Sequence, residues 1–205
     1  MTRIAKIVKS NSHVDYVGRV IDPLDAAEPP TADDYGFAQF VSMPLEGAGG
    51  EVVGVVYDTQ LVNPDYGSLG PRLSPREEIA VLSPDYLNEQ GVLVGILLLG
   101  WRDAGGGGAG RGGFHHGVPR RVIPVGQDVY AMADEAVREF HRGEDGSVGL
   151  RYFSQVVAHA GTFALPVVEA VISQLERDCT AQDRQRLCVL KRSLSWQRTL
   201  GQMRL

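Results

Sequence analysis

The sequence has few cysteines and no hydrophobic run of membrane-spanning length. Only Cys179 and Cys188 occur, and on one helix their nine-residue separation is about 13.5 Å of axial rise, too long for a disulfide. The longest apolar stretch, residues 92–101, is about half the length of a membrane-spanning helix. No apolar run of the signal-peptide type follows the N-terminus. These absences predict a reduced, cytoplasmic protein that does not enter the membrane.

The motifs of several enzyme classes are missing as well. The chain has no GxxxxGK[ST] phosphate-binding loop and no G-x-S-x-G nucleophile elbow. His115 and His116 are adjacent, so on an extended chain they point in opposite directions, and no cysteine or acidic residue lies near them at metal-ligand spacing. We therefore expect no enzymatic activity, no catalytic residues, no metal site and no cofactor.

Charge is distributed unevenly along the chain. Residues 177–205 contain seven basic and two acidic side chains, a net charge of +5. Because the whole chain carries -5, residues 1–176 carry -10. The candidate binding residues for a nucleic acid or a partner protein are the basic residues Arg184, Arg186, Lys191, Arg192 and Arg198.

Three of these residues, Arg184, Lys191 and Arg198, are spaced by seven and share one stripe of a helix. Three roles fit this stripe. It contacts phosphate groups without sequence preference, it docks against an acidic protein surface, or it is the solvated face of an amphipathic helix. No nucleic-acid-binding sequence motif decides among the three roles.

The pattern of the first 131 residues predicts strands. Alternating or continuous apolar runs separated by turn residues favour a small barrel or a sandwich over alternating strands and helices. The glycine-rich segment 103–117 interrupts them and predicts a mobile loop between two barrel strands. The predicted strands are 3–9, 13–22, 37–41, a bent strand over 51–62, 79–82, a buried strand over 91–101, and a last strand region over 118–130 that contains a turn at 125–126.

The remaining residues predict helices over 134–142, 148–157 and 163–175, followed by a last helix that ends near residue 200. Thr180 has the position of an N-cap for this last helix, with Asp183 three residues later. Strands therefore precede helices along the whole chain. This order predicts an α+β fold, with a small β-barrel over residues 1–131 and a helical unit over 132–205.

Three segments of the strand region resemble a known family. They are Y-V-G-R-V-I at 16–21, E-V-V-G-V-V-Y at 51–57, and V-I-P-V-G-Q-D-V-Y at 122–130. This order is similar to the HAS-barrel, the small β-barrel that precedes the motor in HerA-type DNA-translocating ATPases and in rotary ATP synthase subunits. Pro124, Gly126, Val129 and Tyr130 occupy the closing positions of that barrel. The resemblance covers residues 3–131, and helices follow where the family has its motor.

The resemblance implies the role of the barrel without that of the motor. HAS-barrels assemble into rings and dock partner proteins. It therefore implies a non-enzymatic accessory or assembly subunit of a HerA-like DNA-processing system, with a translocase ATPase or a nuclease as partner, in a homo- or hetero-oligomer. The alternative is a nucleic-acid-binding module that uses the basic C-terminal helix. A third hypothesis is a small hydrolase whose site is assembled only by folding.

Overall fold

The computed structural model of the chain describes residues 1–45, 50–63, 90–103, 112–143, 146–177 and 179–202, without the side chains of residues 181 and 193–202. The predicted strand at 79–82 and most of the glycine-rich segment lie outside these ranges. The described strands are β1 (Arg3–Ser10), β2 (Asp15–Val20), β3 (Phe40–Pro44), β4 (Gly50–Val62), β5 (Gly91–Asp103), β6 (Phe114–His116) and β7 (Asp128–Ala131). The described α-helices are α1 (Asp134–His141), α2 (Phe153–His159), α3 (Ala164–Glu176) and α4 (Ala181–Gln202). Short 3-10 turns occupy Ala32–Tyr35 and Gly161–Phe163.

Six of these strands close into an antiparallel barrel. Their order is β2-β1-β7-β3-β4-β5, and β2 pairs with β5 to complete the ring, for example through Tyr16 and Ile96. Burial along β2 alternates with a period of two, as expected for a strand with one face toward a core. The seventh strand, β6, lies outside the ring and pairs with the end of β5. The predicted barrel and the predicted α+β class are confirmed.

The predicted bent strand over 51–62 is also confirmed as β4. The register between β4 and β5 shifts at Val53/Gly54 and again at Val56/Asp58, and such irregularities bend a strand without ending its pairing. Gly54 is required at the first shift. A Cβ atom at this position would lie 2.8 Å from Cγ2 of Ile96 and 3.0 Å from the carbonyl oxygen of Leu97.

The helices begin soon after the last strand. Acidic Asp134 and Glu135 lie in the first turn of α1, where the helix dipole favours negative charge. Along α3 the buried side chains recur every three or four residues and form one apolar stripe. Thr180 caps α4 as predicted, because the amide of Asp183 donates to Oγ1 of Thr180 at 3.2 Å and Thr180 donates to the Asp183 carboxylate at 2.7 Å.

The predicted helix over 148–157 starts five residues later, at Phe153. Val148 forms an isolated antiparallel bridge with Arg142, and its amide donates to the Asp183 carboxylate at 3.2 Å. These backbone bonds hold residue 148 in an extended conformation and prevent helix formation there. No helix in the described ranges is both long and apolar enough to cross a membrane. Cys179 and Cys188 are free thiols, as predicted.

The hydrophobic core runs without a break from the barrel into the helices. One cluster of buried side chains includes Ile96 and Leu98 of β5, Phe140 of α1, and Val168 and Ile172 of α3. Each such side chain contributes about 1.5–3 kcal/mol when it is fully buried. The change from strands to helices falls between residues 131 and 134, near the predicted boundary. The division into two separate domains stays a prediction.

Candidate functional site

The end of β5 lies between two strands, because residues 100–103 pair with β4 on one side and β6 pairs with them on the other. We call β6 and the end of β5 the ribbon. In it Trp101 is opposite His115 and Arg102 is opposite Phe114. Successive side chains point to opposite faces, so Trp101 and His115 share one face while Arg102 and Phe114 share the other. The predicted opposite orientations of His115 and His116 are confirmed, because His115 stacks on Trp101 and His116 packs toward α1.

The face that carries Arg102 and Phe114 is closed by ion pairs and by an aromatic contact. The Arg102 guanidinium lies 4.4 Å from the centre of the Phe114 ring and forms an ion pair with Glu51. A second carboxylate, that of Glu139 in α1, lies 3.8 Å from Arg102. The positive charge of Arg102 is therefore compensated within the protein.

The same face packs directly on α1. Phe140 contacts Phe114 and His116 at ring-centre distances of 5.4 and 4.4 Å, and Nε2 of His116 donates to the Phe140 carbonyl oxygen at 2.7 Å. This close approach requires Gly100 in β5. A Cβ atom there would lie 2.1 Å from the carbonyl oxygen of His115 and 3.0 Å from the Phe140 ring.

Behind this contact lies a buried histidine–tyrosine pair. Nδ1 of His141 donates to the Val137 carbonyl oxygen at 2.7 Å, and Nε2 accepts a hydrogen bond from the Tyr152 hydroxyl at 2.6 Å. Burial lowers the pKa of His141 to about 3 and raises that of Tyr152 well above its usual value. The His141–Tyr152 pair is therefore uncharged near neutral pH and holds α1 to the start of α2. Burial also lowers the pKa of the neighbouring His116.

The opposite face of the ribbon is open. Trp101 and His115 stack there with their ring centres 5.4 Å apart and an interplanar angle of 28°. Two cavities, of about 510 and 500 Å³, meet at Trp101. We call this region the Trp101 face. The first cavity is also lined by Arg102, Arg120 and Arg121. The second is lined by Arg142 and Arg151 and extends past the edge of the ribbon to Phe114 and His116. Acidic residues line both cavities.

The segment between β6 and β7, residues 117–127, is tied firmly to the barrel. Nε2 of His13 donates to the carbonyl oxygen of Pro119 at 2.7 Å, and the amide of Ile123 donates to the Tyr16 hydroxyl at 3.2 Å. The end of the segment makes two backbone hydrogen bonds to Ile7 of β1. The segment is therefore an ordered part of the barrel surface.

This segment presents three apolar side chains to solvent. Val118, Val122 and Val125 are 52%, 67% and 77% exposed, while Ile123 between them is buried. We call residues 117–127 the valine loop. The sequence pattern assigned these valines to a strand region, because β-branched residues favour strands. Pro119 and Pro124 are the signal for a loop, since proline removes a donor from a strand ladder.

The structure places the predicted basic residues on α4. Arg184, Arg186, Lys191 and Arg192 are exposed there, and the side chain of Arg198 lies outside the described residues. Two members of the predicted stripe form contacts with Glu176 at the end of α3. Nζ of Lys191 lies 3.2 Å from the Glu176 carboxylate, and Nη2 of Arg184 donates to the Glu176 carbonyl oxygen at 3.5 Å. These bonds help to hold α4 against α3, and the binding role of the stripe stays a prediction.

In the part of the chain that the structure describes, no group of three or more histidine, cysteine, aspartate or glutamate side chains is placed to hold a metal ion. Comparison with curated proteins gives no match. The family described as "Domain of unknown function (DUF8166)" matches residues 1–204. The match therefore includes both the barrel and the helices of this chain. This description names no activity, and the resemblance to the HAS-barrel stays a prediction. The chain belongs to the DUF8166 family.

Proposed function

We propose that this protein is a non-enzymatic accessory subunit that docks through the valine loop onto a DNA-translocating ATPase of the HerA type. The observation that carries the proposal is the exposure of Val118, Val122 and Val125 on a loop that the barrel holds in place. The sequence resemblance to the HAS-barrel supports the choice of partner, because such barrels dock the components of translocase complexes.

The energetics of the valine loop suit protein docking. The three exposed valines together offer about two full side chains of apolar surface, and burying them contributes about 3 kcal/mol. That free energy corresponds to about a hundredfold in Kd. Because hydrogen bonds already fix the loop, binding costs little ordering entropy. Arg120 and Arg121 lie exposed within the same loop and supply the polar rim that surrounds the apolar centre of an interface.

The test is co-elution of the purified chain with the purified HerA-type translocase of the same organism, measured by size-exclusion chromatography with light scattering. We expect a stable complex and no ATPase activity from the chain alone. The triple variant Val118→Ser, Val122→Ser, Val125→Ser should weaken binding by between about tenfold and a hundredfold.

Val189→Ser is the matched control, because Val189 is 66% exposed but lies on α4. Its affinity for the translocase should stay within twofold of that of the unmodified chain. A chain that remains monomeric and binds neither the translocase nor its nuclease contradicts the proposal. Unchanged binding by the triple valine variant contradicts the assignment of the interface.

A further inference from the structure

We propose that the Trp101 face binds single-stranded nucleic acid. Its arginines contact the phosphates and Trp101 stacks on a base. This inference does not rest on docking to a translocase, and it uses a different surface from the basic helix α4. Its starting point is the position of Trp101, which lines two cavities of similar volume, one with three arginines and the other with two.

The first argument is the local charge. Residues 1–176 carry a net charge of -10, yet five arginines line these two cavities, and only Arg102 among them is paired with a carboxylate of the lining. The other four are Arg120, Arg121, Arg142 and Arg151. In the described part of the chain none of them has a carboxylate within ion-pair distance, although the charge of Arg142 helps to lower the pKa of Asp183.

The acidic side chains of the two cavities compensate only part of this positive charge. Glu51 is paired with Arg102, and Glu139 lies 3.8 Å from Arg102. Asp103 lies 3.9 Å from Nε2 of His115. The Trp101 face therefore has a net positive charge on an acidic protein, and it attracts a polyanion.

The second argument is the aromatic platform. The Trp101 ring is stacked on His115 and is only partly buried, so an aromatic edge and face remain available between the two cavities. Aromatic side chains that flank a basic groove bind unpaired bases, because every base has a face that stacks. An acidic peptide neutralises the arginines but leaves the indole without a stacking partner. A duplex keeps its bases inside the helix and cannot reach it.

The third argument is preorganisation. The contact of the ribbon with Phe140 at Gly100 fixes the position of Trp101. Gly117 has a positive φ of 130°, which turns the chain directly after β6, and the hydrogen bond between His13 and Pro119 holds the next residues. The backbone that carries Arg120 and Arg121 is therefore ordered before any ligand binds, which lowers the entropic cost of binding.

The experiment uses the full chain with Trp196→Phe, which leaves Trp101 as the only tryptophan. The probe is a fluorescein-labelled oligothymidylate of twelve nucleotides at 50 mM salt, followed by anisotropy. We expect binding that weakens as salt rises, and an unlabelled strand should quench the Trp101 fluorescence.

Two variants test the two kinds of contact. Arg120→Gln with Arg121→Gln should weaken binding about tenfold and should reduce the slope of log K against log salt by about 1.4, the value for two phosphates of a single strand. Trp101→Ala should weaken binding by about 5- to 150-fold, the range for the loss of one stacked base. Trp101→Phe should retain most of the affinity, and circular dichroism checks that each variant is folded.

The matched control is Arg184→Gln with Arg186→Gln, which removes two exposed charges from α4. It should bind within twofold of the unmodified chain. The proposal is overturned by an absence of oligonucleotide binding, by equal losses for the two arginine pairs, or by retained affinity in the Arg120/Arg121 variant. Equal competition by polyglutamate would identify an acidic-peptide site instead. Equal binding of a duplex without tryptophan quenching would exclude base stacking.

Discussion

Among single residues, His141 is the clearest case in which folding changes the protonation of a side chain. Its pKa falls from an ordinary value of 6.5 to about 3, mainly because the side chain is buried away from water. The unfolded chain therefore binds a proton below pH 6.5 that the folded chain does not bind until about pH 3. By linkage, the stability that depends on neutral His141 is complete above pH 6.5 and is lost as the pH falls toward 3.

We therefore predict that the free energy of unfolding falls as the pH drops from 6.5 to 4, by up to about 1.4 kcal/mol per pH unit from this residue. His141→Gln should be less stable by about 1–3 kcal/mol at pH 7, because Tyr152 and Val137 lose their histidine partner. Its deficit should shrink at lower pH. Urea unfolding between pH 7 and 4 measures both effects. His159→Gln, at an exposed position on α2, is the control, and parallel pH profiles for His141→Gln and the unmodified chain would refute the assignment.

At the scale of secondary-structure elements, the sequence predicts long elements well and short ones poorly. β4 was predicted as one bent strand, since β-branched and apolar residues continue through both register shifts. β6 was missed because three residues in a glycine-rich segment carry no periodicity, and they form a strand only through pairing with β5. The later start of α2 depends on the contact of Val148 with Asp183, which are 35 residues apart.

The candidate sites show the same limit. The basic residues of α4 were predicted because they repeat along one helix, so that their common face follows from spacing alone. Arg120 and Arg151 lie 31 residues apart, and only the path of the chain through β7 and α1 brings them to the two cavities beside Trp101. No local sequence pattern contains that information. Trp101 itself was seen in the sequence only as the end of a buried apolar run.

The attachment of β6 provides a prediction at this scale. Gly100→Ala places a methyl group where the His115 carbonyl oxygen and the Phe140 ring now lie, so we expect β6 to separate from β5. The cost should be about 1–3 kcal/mol, as for other overpacked sites. Faster hydrogen exchange at residues 114–116 and loss of the Trp101–His115 stack are the expected signs. Gly113→Ala is the control, because a Cβ atom there meets nothing within 4 Å. Unchanged exchange in the Gly100 variant would contradict the packing described here.

At the scale of the whole molecule, the barrel and the helices share their buried surface. Gln155 of α2 is buried and its side-chain amide donates to the carbonyl oxygen of Leu98 in β5, within the hydrophobic cluster that also contains Ile172 of α3. The family match also spans both parts, over residues 1–204. In the sequence, strands come before helices, and this order predicts two units. The order of elements does not, however, show how much apolar surface the two units bury against each other.

This shared core predicts cooperative unfolding. With Trp196→Phe, Trp101 fluorescence reports on the β5–β6 ribbon and circular dichroism at 222 nm reports mainly on the helices. The two denaturation curves should coincide. Ile172→Ala removes a fully buried side chain of α3 and should lower the free energy of unfolding by about 2–5 kcal/mol, shifting both curves together. Val189→Ala, at an exposed position, should shift neither curve. A separate helical transition in the Ile172 variant, with the fluorescence curve unmoved, would show instead that residues 1–131 fold independently, as the predicted division into two domains requires.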